Sequence, residues 1–172
     1  MNNRKIIPII VLLTVLVTAV LYQPVSIAVF KLTEPYFGCP LKMPLKNVVI
    51  RNDAYGDGAF GSKRRGGRTH SGIDIKAPVG APVCAAKSGI AFCGNVPTGY
   101  GKYVMIYHPD RTVTMYSHLS DWRVRSTQKV RKGTEIGLVG KTGNARNNNM
   151  EAHLHFEIRD GATPQDPGKL MR

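Results

Sequence analysis

From residue 43 onward, hydrophobic and polar residues tend to alternate, and glycine or proline interrupts the chain at short intervals. Few windows are long enough for a helix of average length, and period-two alternation is typical of strands with one buried face. The pattern predicts eight short strands, at residues 48–50, 73–75, 83–86, 90–93, 102–107, 112–117, 135–139 and 154–158. This arrangement predicts a mostly β domain built from antiparallel sheet.

The N-terminal segment has a different pattern. After Arg4 and Lys5, residues 6–30 contain no charged side chain. As a helix this run would be about 37 Å long, enough to cross about 30 Å of hydrocarbon. We predict an uncleaved signal anchor with a cytoplasmic N-terminus. A cleaved signal peptide is the alternative, because the most apolar part, residues 6–21, is short for a permanent span. Either alternative predicts that the remainder of the chain is exported.

The 172-residue chain is therefore predicted to contain one ordinary domain with an N-terminal appendage. Residues 1–30 are the anchor or signal peptide, residues 31–43 are a short linker, and residues 44–172 are the β domain. The pattern does not indicate an oligomeric state.

The chain is strongly basic, with 24 Lys and Arg residues against 11 Asp and Glu residues and a formal net charge of +13. A basic surface often indicates nucleic-acid binding. Export instead favours anionic lipid head groups, wall polymers and the carboxylates of cell-wall peptides, so we expect no nucleic-acid partner. The cluster at residues 63–65 is interpreted either as solvated surface or as a substrate contact.

The three cysteines, Cys39, Cys84 and Cys93, allow at most one intramolecular disulfide. The segments around Cys84 and Cys93 flank a Ser88-Gly89 turn and predict a hairpin in which these two cysteines face each other. A cross-strand disulfide is one alternative, and two unpaired cysteines in the sheet are the other. The absence of a C-x-x-C pair argues against a structural zinc site.

Four of the five histidines fall in three short motifs: Thr69-His70-Ser71-Gly72-Ile73-Asp74, Tyr116-Ser117-His118-Leu119, and Glu151-Ala152-His153-Leu154-His155-Phe156-Glu157. Strand alternation places His153, His155 and Glu157 on one face of the last segment, and its apolar residues on the other. Two adjacent imidazoles pack poorly in a hydrophobic core, and a divalent metal is the usual reason for holding them together. His70 and Asp74 could add an imidazole and a carboxylate from a loop. Three protein ligands with an open water position are typical of catalytic zinc.

Together these motifs resemble the lysostaphin and LytM type of zinc metalloendopeptidase, whose catalytic domains cut peptide bonds in peptidoglycan. The resemblance covers about residues 44–167 and also includes Phe60-Gly61-Ser62, residues 77–83 and the glycine-containing segment 130–143. It implies that His70, Asp74 and His155 bind Zn²⁺. It further implies that His118 and His153 are a catalytic pair that binds no metal. His108 receives no role and is expected to cap a turn or to be exposed.

The resemblance implies a zinc-dependent endopeptidase that hydrolyses peptide cross-links or stem peptides of bacterial peptidoglycan. The catalytic domain is expected in the cell envelope, on the outer side of the membrane to which the N-terminal segment anchors it. If that segment is cleaved, the domain is expected to be secreted. A catalytically silent, wall-binding activator of another hydrolase is the alternative, although all five expected site residues are present. Residues 141–151 are richer in asparagine than in the family pattern, and we expect this loop to line the substrate groove.

Overall fold

The computed structural model describes residues 10–18, 20 and 41–170, and the chain divides into two units, Met1–Phe37 and Gly38–Arg172. In the first unit, helix α1 covers residues 10–18. The other parts of the predicted anchor, most of the linker and Cys39 lie outside the described residues. Among the residues described, none of the helices has both the length and the apolar character needed to cross a membrane.

The second unit is mostly β, as predicted, and its strands pair in antiparallel fashion. Its elements, in chain order, are β1 (Asn52–Asp53), β2 (Gly56–Asp57), the 3₁₀ helix η1 (Arg65–Gly67), β3 (Ile73–Lys76), β4 (Pro82–Cys84), β5 (Gly89–Val96), β6 (Gly101–Tyr107), β7 (Thr112–Trp122), β8 (Lys129–Val130), β9 (Glu135–Val139), the 3₁₀ helix η2 (Gly143–Arg146), β10 (His153–Asp160), β11 (Thr163–Gln165) and α2 (Pro167–Leu170). Strands β1 and β2 form a separate pair, and the other nine form one sheet.

Strand β10 is central to the candidate chemistry, because it pairs with β3, β7 and β11. Its apolar residues Leu154, Phe156 and Ile158 are all buried in the hydrophobic core. Burial of side chains of this size contributes about 1.5–3 kcal/mol each. The opposite face of β10 carries His153, His155 and Glu157, so the alternation predicted from the sequence is correct.

Two predictions about the strands are wrong, one about a strand's existence and one about strand pairing. Residues 48–50 form no strand, and of these only Ile50 makes an isolated bridge, to Ile75. Strand β4 pairs with β9, whereas β5 pairs with β6 and β8, so β4 and β5 do not form a hairpin. Cys84 consequently lies opposite Glu135 and Cys93 lies opposite Val104, and both cysteines are free.

His108 is buried, which corrects the expectation of an exposed side chain. Its Nδ1 donates to the carbonyl oxygen of Ser88 at 2.8 Å, and its Nε2 lies 2.9 Å from Oγ1 of Thr114. Burial lowers the pKa of His108 to about 4, so the ring is neutral at pH 7. His108 directly follows β6, and the two hydrogen bonds of its ring satisfy both nitrogens in this buried position.

Gly72 controls how closely β3 approaches β10. A Cβ at this position would lie 2.2 Å from the carbonyl oxygen of Phe156, a backbone atom that cannot move without displacing the strand. We therefore expect Gly72→Ala to lower the free energy of unfolding by about 1–3 kcal/mol, the usual cost of overpacking. Thermal unfolding measures this change.

The control for that experiment is Gly168→Ala, whose added Cβ would meet only the side-chain oxygen Oδ1 of Asp166, at 3.2 Å. This oxygen accepts a hydrogen bond from the Gly168 amide at 2.9 Å and needs to shift by only a few tenths of an ångström, so the control should unfold close to the wild-type temperature. Equal stability of Gly72→Ala and the wild type would show that the strands tolerate a wider separation.

Candidate metal centre and active site

The pairing of β3 with β10 brings two chemical groups into contact, because Asp74 lies directly opposite His155 in the register. His70 ends the segment that leads into β3. Asp74 lies in β3, within the strand predicted at residues 73–75, and not on the loop that was suggested to carry both ligands. His155 Nδ1 is 2.8 Å from Asp74 Oδ1, and His70 Nε2 is 3.0 Å from each of these two atoms. All three side chains are buried and form a group that could hold a metal ion.

The outer nitrogen of each ligand imidazole has its own acceptor. His70 Nδ1 lies 2.9 Å from the carbonyl oxygen of Ala59, and His155 Nε2 lies 2.8 Å from Oε1 of Glu157. Since a carbonyl or carboxylate oxygen only accepts, these nitrogens carry the protons. His70 Nε2 and His155 Nδ1 are therefore the two nitrogens that face the cluster.

His70 Nε2, His155 Nδ1 and Asp74 Oδ1 converge, and imidazole nitrogens and carboxylate oxygens are the atoms that ligate zinc. Ligands 2.0–2.1 Å from a tetrahedral zinc ion would be about 3.3 Å apart, and the observed separations are a few tenths of an ångström shorter. Burial opposes a charge on His155, yet the carboxylates of Asp74 and Glu157 raise its pKa to about 9, so without a metal the ring carries a proton that a bound cation would displace. Burial likewise opposes charge on Asp74, but its histidine partners hold its pKa well below the usual range. The donor set therefore fits a divalent metal.

The second oxygen of Asp74 is held by two arginines. Oδ2 accepts from Arg51 at 3.0 Å and from Arg64 at 3.2 Å. Arg51 is only 3% exposed, and its other terminal nitrogen donates to Oδ1 of Asp53 at 2.5 Å. These contacts leave Oδ1 as the oxygen of Asp74 that faces the histidines. Sequence analysis missed Arg51, because no local pattern connects it to Asp74.

Glu157 positions His155 from the opposite side. Its Oε1 accepts from Ser71 Oγ at 2.5 Å and from Tyr100 at 3.1 Å, and its Oε2 accepts from Arg159 at 2.6 Å. Full burial would raise the pKa of Glu157, but the hydrogen bonds from His155 and Arg159 lower it to about 2. A charged carboxylate behind a ligand histidine fixes the tautomer and the orientation of the ring.

His118 reaches the site through an irregularity in β7. The register of β6 with β7 shifts at this point, and His118 has a φ of 64°, in the left-handed region that non-glycine residues rarely adopt. Strain of this kind costs on the order of 1–3 kcal/mol and is concentrated at functional positions. The bulge turns the ring of His118 toward His153, with the two ring centroids 5.0 Å apart.

His118 and His153 share one hydrogen-bonding arrangement. His118 Nδ1 donates to the Thr142 carbonyl at 2.9 Å, and His153 Nδ1 donates to the Glu151 carbonyl at 2.7 Å. In both rings Nε2 is therefore the basic nitrogen. Burial is the largest cause that lowers both pKa values, that of His118 to about 3, so both rings are neutral at pH 7. Each ring can accept a proton at Nε2.

All five predicted site residues line one groove of about 550 Å³. The asparagine-rich loop contributes Asn144, Ala145 and Met150 to its wall, as expected for residues 141–151. Arg51, Arg64 and Arg68 line the other side. The groove thus combines a candidate metal centre, two neutral imidazoles and several cationic side chains.

The sequence profile described as Peptidase family M23 matches residues 68–167, more than half of the chain. The chain belongs to peptidase family M23. The structure of a zinc-containing peptidase from Vibrio cholerae has the same fold as this M23 protein, with a TM-score of 0.63 and 30% identity, covering 74% of this chain and 39% of that one.

Relatives of this M23 protein carry different names. It is 40% identical over 135 residues to the cell division protein DipM of Caulobacter vibrioides, covering 74% of this chain and 20% of DipM. It is 37% identical to the peptidoglycan DD-endopeptidase ShyA of Vibrio cholerae, covering 52% of this chain and 20% of ShyA. It is 33% identical to the murein hydrolase activator NlpD of Salmonella dublin, covering 69% of this chain and 28% of NlpD. The chain thus spans less than a third of the length of these relatives.

The contact between Glu157 and His155 predicts an effect on metal affinity. We expect Glu157→Gln to weaken binding of a divalent metal about 10-fold to 100-fold, because a neutral amide holds the imidazole less firmly. Titration against a competing chelator measures this affinity. The control is Glu135→Gln, which removes a carboxylate whose nearest cation, Arg123, is 3.6 Å away in a half-exposed pair. Unchanged affinity in a folded Glu157→Gln variant would contradict the positioning role.

Proposed function

We propose that this M23 protein is a zinc-dependent endopeptidase that hydrolyses peptide cross-links or stem peptides of bacterial peptidoglycan. The observation that carries the proposal is the convergence of His70, Asp74 and His155 beside the two neutral imidazoles of His118 and His153. The names of the zinc-containing peptidase and of ShyA support it. In this proposal His70, Asp74 and His155 hold the zinc ion.

Bound zinc would polarise the scissile carbonyl and lower the pKa of a water molecule toward about 7. The chain itself supplies the movement of protons. Nε2 of His118 is the basic nitrogen of a ring fixed by Thr142, so it can take a proton from the attacking water. Nε2 of His153, fixed in the same way by Glu151, carries no proton at rest. It would therefore take up the second proton of the attacking water before it stabilises the oxyanion or passes that proton to the leaving amine.

A second candidate function is that of a catalytically silent activator that binds the cell wall and stimulates another hydrolase. The 33% identity with the activator NlpD favours it. The complete set of metal-binding and basic residues favours the enzyme instead, since a binding module needs neither a converging donor set nor a strained His118.

Incubation of the full chain with purified, cross-linked peptidoglycan, with the products identified by mass spectrometry, tests the proposal. An endopeptidase releases peptides cut at a defined bond, and His118→Ala should release them about 100-fold to 10,000-fold more slowly. An activator releases nothing alone but accelerates a second, added peptidoglycan hydrolase. Absence of products at a full complement of zinc would overturn the enzymatic proposal.

The roles of the histidines predict two distinguishable losses. The wild type should contain about one zinc per chain. His155→Ala should lose both zinc and activity, because it removes a metal ligand. His118→Ala should keep zinc while its rate falls about 100-fold to 10,000-fold. Elemental analysis of tag-free protein and a rate assay measure the two effects. The control is His108→Gln, which removes a histidine outside the groove. If a folded His118→Ala variant lost zinc as fully as His155→Ala, the assignment of roles would be wrong.

We also propose that the protein acts in the bacterial envelope, on the outer side of the cytoplasmic membrane. Residues 1–30 would attach it to the membrane, or direct its secretion if they are cleaved. The uncharged run at residues 6–30 supports this proposal, and so does the name of NlpD as an activator of murein hydrolases. The attached form should sediment with membranes and resist carbonate extraction. A mature N-terminus between residues 21 and 31 would replace attachment with secretion.

A further inference from the structure

A basic hairpin borders the candidate active site. Residues 61–69 contain four Lys or Arg residues and no acidic residue. The hairpin is closed by the bridge between Lys63 and Thr69 and by a hydrogen bond from the Arg64 amide to the Arg68 carbonyl at 2.8 Å. Its tip is η1, where Gly66 and Gly67 adopt positive φ angles of 75° and 72°. The His70 amide then bonds to the Ser62 carbonyl at 2.9 Å, so the hairpin leads directly into a candidate ligand.

The two arginines of this hairpin that line the groove differ in their contacts. Arg64 is anchored, since one terminal nitrogen donates to the Asp57 carbonyl at 2.6 Å and the other to Asp74 Oδ2 at 3.2 Å. The side chain of Arg68 is exposed and has no hydrogen-bond or ion-pair partner among the described residues. The anchored Arg64 holds the backbone of Arg68 in place and leaves the guanidinium of Arg68 free to bind a ligand.

The groove wall has a large excess of positive charge. Its lining includes Arg51, Arg64 and Arg68, and its only acidic residue among those described is Asp74. The carboxylate of Asp74 is already held by the first two arginines and faces the ligand histidines. A groove lined by one sign of charge attracts a ligand of the opposite sign, and an arginine fork matches the two oxygens of a carboxylate.

We propose that Arg68 forms a carboxylate-binding subsite, and that the substrate is a peptide with a free carboxylate beside the scissile bond. This inference rests on the proposed peptidase function and narrows its substrate class. A bridge made only of glycine has no such carboxylate, so it would leave the guanidinium of Arg68 without a partner.

The test compares two synthetic cross-linked stem peptides that differ only in whether the carboxyl group beside the scissile bond is free or amidated. The measured quantity is the ratio of kcat/KM for the free acid to that for the amide, with the full chain. The wild type should prefer the acid, and Arg68→Gln should reduce this preference about tenfold, the size of one charge-assisted hydrogen bond. The preference should also fall as ionic strength rises.

The matched control is Arg125→Gln, which makes the same change in charge at an exposed residue outside the groove lining. It should keep the wild-type preference. A binding measurement separates recognition from catalysis, because the His118→Ala variant should bind the acid more tightly than the amide, and adding Arg68→Gln should remove the difference.

The outcomes distinguish the two proposals. Cleavage of both peptides with the same preference in the wild type and in Arg68→Gln overturns the subsite and leaves the peptidase function intact. Cleavage of neither peptide by the zinc-loaded wild type counts against the peptidase function. The binding comparison then decides the subsite independently, and equal affinity for acid and amide overturns it.

Discussion

The alignment of His155 with Asp74 across β10 and β3 is the constraint on which the site depends. Side chains on a strand alternate between two faces, so a shift of one residue in this register would move His155 into the core and Leu154 out of it. The hydrophobic core therefore fixes the metal donors, because Leu154 and Phe156 must remain buried for the sheet to be stable. One face of β10 therefore packs in the hydrophobic core, and the other face carries the candidate site residues.

The cost of burying this polar cluster is offset by a closed set of hydrogen bonds. An isolated buried carboxylate is strongly disfavoured, whereas Asp74 is held by Arg51 and Arg64 on one oxygen, and Glu157 is held by Arg159 and Ser71. Each carboxylate orients a group that faces the groove. The cations behind them therefore contribute to the geometry of the donors as well as to the stability of the fold.

Local features could be predicted from the sequence, and pairings between distant segments could not. Alternation alone placed His153, His155 and Glu157 on one face, because that pattern depends only on neighbouring residues. The pairing of β4 with β9 depends on the packing of the whole sheet, so the apparent Ser88-Gly89 hairpin misled the prediction for Cys84. For the same reason, the sequence did not predict the contact of Arg51 with Asp74 or the burial of His108.

The groove combines residues that are held in a hydrogen-bond network with one residue, Arg68, whose side chain is not. The donor atoms and the basic nitrogens of His118 and His153 each belong to a side chain held by a hydrogen bond from behind, so a change in any of them disturbs a network. Arg68 lies on an exposed hairpin whose closing contacts are made by the backbone and by Arg64. Its side chain can therefore change without a change in the sheet. In the proposed peptidase, the same scaffold would keep the metal centre unchanged while the hairpin varied, so recognition of the substrate's charge would lie outside the metal centre.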